Sequence, residues 1–159
     1  MSYHIYTTKG LVLSAKPWRE AGRIYSILTR DLGLIRASAT GVRNESSKLR
    51  ALVEPISFVS VSLVRGKEYW RLTSAEFIKK VSSSESLLKP LALLEKLVQG
   101  ESKHSELFDA VEQYLDSDEI TLVSQILYHL GYLRKSDLEL EKKELIKAIN
   151  HGLENSHLM

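Results

Sequence analysis

The hydrophobic pattern changes period near Ser82-Ser83-Ser84, and no single uniform architecture accommodates both halves. Before this point apolar residues alternate, as in Phe58-Val59-Ser60-Val61-Ser62-Leu63, where Val59, Val61 and Leu63 fall on one face of a strand. After it they recur at helical spacing, as in Leu91, Leu94, Leu97 and Val98. The 159 residues therefore read as two modules, a strand-rich one over 1–82 and a helical one over 83–159. The predicted fold class is α+β.

Strands are predicted over 10–15, 24–29, 34–40, 56–64 and 69–78, all rich in Val, Ile, Tyr and Thr. Asp31-Leu32-Gly33 and Arg65-Gly66-Lys67-Glu68 are short enough to join antiparallel pairs. Between the third and fourth strands, Leu49, Leu52 and Val53 have helical spacing and Pro55 ends the run. Five strands with a helix after the third is the order of an OB-fold barrel, although a generic five-stranded barrel would show the same order.

The second module predicts a helical bundle. Its first helix carries Pro90 in the opening turn, and a second places Leu107, Phe108, Val111 and Leu115 on one face. A third uses Leu122, Val123, Ile126, Leu127 and Leu130 and stops at Gly131. For a fourth, Ser136-Asp137-Leu138-Glu139 matches the S-x-x-E capping box, with Leu145, Ile146, Ile149 and Leu153 as the apolar face.

Charge divides at the same place. Residues 1–82 hold fourteen Lys/Arg against six Asp/Glu, a net of +8, while residues 83–159 hold eight against fourteen, a net of −6. A basic module without a catalytic signature points to a polyanion, with nucleic acid the leading candidate. Nucleotide-binding glycine motifs and the G-x-S-x-G elbow are absent, which argues against an enzyme. There is no cysteine, and His4, His104, His129, His151 and His157 lack metal-ligand spacing, so neither metal nor cofactor is predicted. Apolar runs such as Leu91–Leu94 fall far short of the roughly 20 residues of a membrane span. The opening Met1-Ser2-Tyr3-His4-Ile5 lacks a signal-peptide pattern, which predicts a cytoplasmic protein.

Within the basic module the candidate nucleic-acid-binding residues are Arg36 on a strand, Arg43, Lys48 and Arg50 around the inserted helix, and Arg65, Lys67 and Arg71 flanking the last hairpin. Tyr69 and Trp70 lie between Lys67 and Arg71, an interleaving that lets bases stack while phosphates are neutralised. Trp70 shares strand parity with Leu72, which favours the core for that ring and leaves Tyr69 as the candidate platform. For an arginine such as Arg23 or Arg30, a pair with Glu20 or Asp31 competes with a phosphate contact.

A family resemblance runs through the same residues. Gly10-Leu11-Val12-Leu13, the stretch from Arg19-Glu20 to Thr29, then Ala39-Thr40-Gly41-Val42-Arg43 and Ser47-Lys48-Leu49 resemble the N-terminal domain of the RecO family of bacterial DNA repair proteins. Leu52-Val53-Glu54-Pro55 and Leu72-Thr73-Ser74-Ala75-Glu76 continue the likeness, which extends over about residues 3 to 133. The resemblance implies an OB-fold and a helical domain, non-enzymatic binding of single- and double-stranded DNA, strand annealing and recombinase loading. It also implies RecR and the C-terminal tail of single-strand DNA-binding protein as partners. Arg43 and Lys48 match the family's G-x-R and S-K-L contexts, whereas Arg36, Arg50, Arg65, Lys67 and Arg71 rest on charge placement. The four-cysteine zinc module of many relatives has no counterpart here, and the chain is shorter than typical members. A protein-interaction adaptor and an RNA-binding OB protein remain the alternatives to a DNA-binding recombination mediator.

Overall fold

A computed structural model describes residues 4–43, 49, 55–81, 85–98 and 100–156. The strands are β1 (Tyr6–Trp18), β2 (Gly22–Thr29), β3 (Gly33–Ala39), β4 (Ser57–Val64) and β5 (Trp70–Lys80). They close into a barrel in the order β1-β2-β3-β5-β4. Every contact is antiparallel except β3 with β5, which run parallel through only Ala37↔Trp70 and Ser38↔Arg71. This is OB architecture, as the strand order predicts.

Alternation produces the closure. Val59, Val61 and Leu63 point inward with Val12, Tyr25, Ile27, Ile35, Ala37 and Leu72 to form one buried cluster. A bulge between Val12 and Ser14 bends β1, which lets one 13-residue strand pair with both β2 and β4. β1 starts earlier than predicted because Tyr6 to Lys9 pair with Leu63 to Ser60 despite their polar character. The helix expected after β3 lies outside the described residues apart from Leu49, which is helical and packs against the barrel core.

Two compact units result, and residues 100–104 group with the barrel. At the β2–β3 turn Gly33 adopts a φ of +74°, and a Cβ there would stand 2.2 Å from the Ser102 carbonyl oxygen. Only glycine meets both demands.

The helical unit contains α1 (Leu88–Leu97), α2 (Ser105–Tyr114), α3 (Glu119–His129) and α4 (Lys142–Asn155). Val123, Leu127, Leu133, Leu145 and Ile149 make up a core cluster. Asp118 caps α3 by accepting from the Thr121 amide at 2.8 Å, and that hydrogen bond holds its carboxyl below the usual carboxylate value. At the other end Gly131 takes a φ of +88°, while Tyr132 donates to the Leu127 carbonyl at 2.8 Å and Gly131 to that of Tyr128 at 3.1 Å. These bonds form the Schellman arrangement expected of a glycine stop.

One expectation fails. Ser136 to Glu139 do not open the fourth helix; they lie in a 3-10 turn over Lys135–Glu139. Asp137 takes the Arg134 amide at 2.9 Å, closing the turn on itself. Leu140 and Glu141 then adopt extended backbone before α4 begins at Lys142. Ile146, expected in the core, is exposed. No helix among the described residues is long and apolar enough to cross a membrane.

Candidate nucleic-acid interface

Strand register gathers several cations on one outer face. Residues directly opposite in a sheet point to the same side. One cross-strand row joins Lys16 of β1, Ile24 of β2, Ser38 of β3 and Arg71 of β5, and the next joins Ser14, Ser26 and Arg36. Ala37 and Trp70, the alternate positions, face the core. Lys16, Arg36 and Arg71 are all exposed, and no carboxylate pairs with any of them among the described residues. Lys67 is exposed in the β4–β5 turn beside them.

Two aromatic rings meet over this face. Tyr69, immediately before β5, and Trp18, the last residue of β1, are each partly exposed. Their centroids are 6.3 Å apart at 82°. The Arg19 guanidinium covers the Trp18 ring at 4.1 Å. Trp18, Arg19 and Lys16 are not among the residues predicted from sequence. The same signal was present there, an aromatic beside a basic residue at a strand end, but its partner Tyr69 lies far away in sequence.

Of the other predicted cations, Arg43 and Arg65 have partners within the protein. Arg43 turns inward on the β1–β2 turn, where its Nη2 donates to the carbonyls of Arg19 at 2.6 Å and Glu20 at 2.5 Å. Arg65 pairs with Glu101 at 3.0 Å and lies over the Trp70 ring at 4.4 Å. Trp70 is 3% exposed and donates its indole N–H to Glu101 at 2.8 Å, so it belongs to the core. Arg30 approaches Asp31 at 3.8 Å, the local pairing that competes with a phosphate contact. Lys48 and Arg50 lie outside the described residues.

Among the described residues the face therefore offers three exposed cations without a carboxylate partner in adjoining rows, with two flanking cations and two ring surfaces at its rim. Cations spaced along a sheet can follow a phosphate backbone, and rings beside them can take bases.

Comparison with known proteins agrees with this architecture. The family model described as "Recombination protein O N terminal" matches residues 1–81. DNA repair protein RecO of Synechococcus sp. (strain JA-2-3B'a(2-13)) is 37% identical over 87 residues, covering 55% of this chain and 30% of that protein. The proteins of the same name from Frankia casuarinae and Dehalococcoides mccartyi (strain BAV1) are 39% and 36% identical over 74 and 90 residues. These matches cover 46% and 57% of this chain, and 30% and 36% of the relatives. The chain thus aligns with about a third of the length of the curated relatives it matches. With its barrel matched from end to end by the family model, the chain belongs to the recombination protein O family of DNA repair proteins.

Proposed function

We propose that this chain is a non-enzymatic DNA-binding recombination mediator that holds single strands, and more weakly duplexes, on the outer face of β1, β2, β3 and β5. The observation that carries this reading is the register that aligns Lys16 and Arg71 in one row and Arg36 in the next. Strand annealing and recombinase loading follow from presenting strands at high local concentration, with no covalent step. Of the predicted residues, Arg36, Lys67, Tyr69 and Arg71 serve this face. Arg43 and Arg65 act on protein partners first. The proposed division runs between a DNA-binding module over 1–82 and a helical module over 83–159, with residues 100–104 grouping with the barrel.

RecR and the C-terminal tail of single-strand DNA-binding protein are the proposed protein partners. For the tail, support comes from a groove of about 240 Å³ in the helical unit, whose lining includes Leu93, Ile120, Val123 and Ile146 together with Lys89 and one carboxylate, Glu119. An apolar floor beside an ammonium suits an acidic segment that ends in an aromatic residue.

Fluorescence anisotropy with a labelled single strand at two salt concentrations tests the function. Affinity should fall steeply with salt, by about 0.7 in log–log slope for each phosphate neutralised. Salt-independent binding, or none at low salt, would refute it. A competition between DNA and RNA of one sequence separates the RNA-binding alternative. Preference for an acidic peptide over both would favour the adaptor.

A further inference from the structure

One rim of the DNA-facing surface holds an arrangement that charge alone does not explain. Arg19 has a φ of +55°, a left-handed conformation that a residue with a Cβ seldom adopts. Arg43 holds it there. Besides the two side-chain bonds to the carbonyls of Arg19 and Glu20, its own amide donates to the Ala21 carbonyl at 2.8 Å. Three successive carbonyls of the β1–β2 turn are thus tied to one residue. The turn carries Trp18 into edge-to-face contact with Tyr69 and sets the Arg19 guanidinium over the indole. Tyr25 and Trp70 are buried in the barrel, whereas Trp18 and Tyr69 stay partly exposed on the same face as Lys16 and Arg71.

We propose that Trp18, Arg19 and Tyr69 form a base-stacking clamp, preset by Arg43, that makes this face selective for unpaired bases over duplex. The inference rests on the nucleic-acid reading above and adds the origin of strand selectivity. A base within a duplex has both faces covered by its neighbours and gains nothing from an indole. An unpaired base can lie against Trp18 or Tyr69, whatever its identity, because every base has a π face. The Arg19 guanidinium can stack on that base or move to its phosphate. Arg43 is a positioning residue, since its guanidinium addresses protein carbonyls.

The test compares a thymidine oligonucleotide with a duplex of equal length, binding to the full chain by anisotropy. Trp18→Ala and Tyr69→Ala should each weaken single-strand binding about tenfold while leaving duplex binding unchanged, which also reports an intact fold. Arg43→Ala should weaken single-strand binding without altering the salt slope, whereas Arg71→Ala should reduce that slope by about 0.7. Trp18→Phe should keep most of the affinity but lose the oligonucleotide-induced quenching of tryptophan fluorescence, because the remaining Trp70 is 3% exposed. Three results would overturn the clamp: unchanged single-strand affinity in Trp18→Ala, an equal loss on both substrates, or a salt slope lowered by Arg43→Ala. If the unaltered chain binds neither substrate, the broader nucleic-acid reading fails and the clamp fails with it.

Discussion

Replacing Glu101 should separate a buried hydrogen bond from an exposed ion pair at the same carboxylate. One oxygen accepts from the Trp70 indole at 2.8 Å, and the other pairs with Arg65 at 3.0 Å. Trp70 is 3% exposed, so loss of its acceptor strands a nearly buried donor, at about 1–3 kcal/mol. Arg65 and Glu101 are 65% and 40% exposed, and a pair this solvated contributes about 0–1 kcal/mol. Glu101→Ala should therefore destabilise the barrel by about 2 kcal/mol. Glu101→Gln, which retains a carbonyl oxygen for the indole, should cost less than about 1 kcal/mol. For a chain of this size the alanine change corresponds to a midpoint lowered by about 4–8 °C. Thermal unfolding followed by tryptophan fluorescence reports it directly. Equal losses in both variants would show that the contact is ionic. No loss in either would show that Trp70 does not depend on residues 100–104.

Other consequences follow from backbone and charge. Gly33→Ala should destabilise strongly, because a Cβ would collide with backbone at 2.2 Å, while Gly131→Ala, with nothing within 4 Å, should cost only the left-handed strain of about 1–2 kcal/mol; urea titration of both variants checks the contrast. Asp118→Ala should cost about 1 kcal/mol at neutral pH through loss of the α3 cap. Since the folded carboxyl titrates below its ordinary value of 3.8, the charge-dependent part is fully present above that value and disappears as pH falls through the folded value. The stability gap between Asp118→Ala and the unaltered chain should accordingly narrow in acid, as circular dichroism would show; a constant gap refutes the assignment. Replacing Arg36 and Arg71 together should lower the single-strand salt slope by about 1.4, twice the 0.7 expected per contact, with an unchanged melting midpoint.

Local pattern carried the barrel. Val59, Val61 and Leu63 alternate because one strand face must be dry, and that requirement is written in adjacent residues. The glycine stop at Gly131 is legible for the same reason. The capping box was misleading because Ser136 and Glu139 lie inside a 3-10 turn that Asp137 closes on the Arg134 amide, and extended Leu140 and Glu141 separate that turn from α4. The excess of positive charge was visible as a sum, but the work of each arginine was not. Arg43 depends on carbonyls of Arg19 and Glu20, and Arg65 on Glu101, all distant in sequence. Trp18 was missed because edge-to-face contact with Tyr69 exists only once β1 and β5 share a barrel.

The return of residues 100–104 to the barrel bears on how this protein can be dissected. A gene fragment stopping at residue 81, where the family match ends, would omit the acceptor for the Trp70 indole and the backbone that lies over Gly33. Excising the minimal nucleic-acid module at that natural-looking border would therefore yield a weakened piece. A faithful fragment must retain the first helix as the tether that brings Glu101 back.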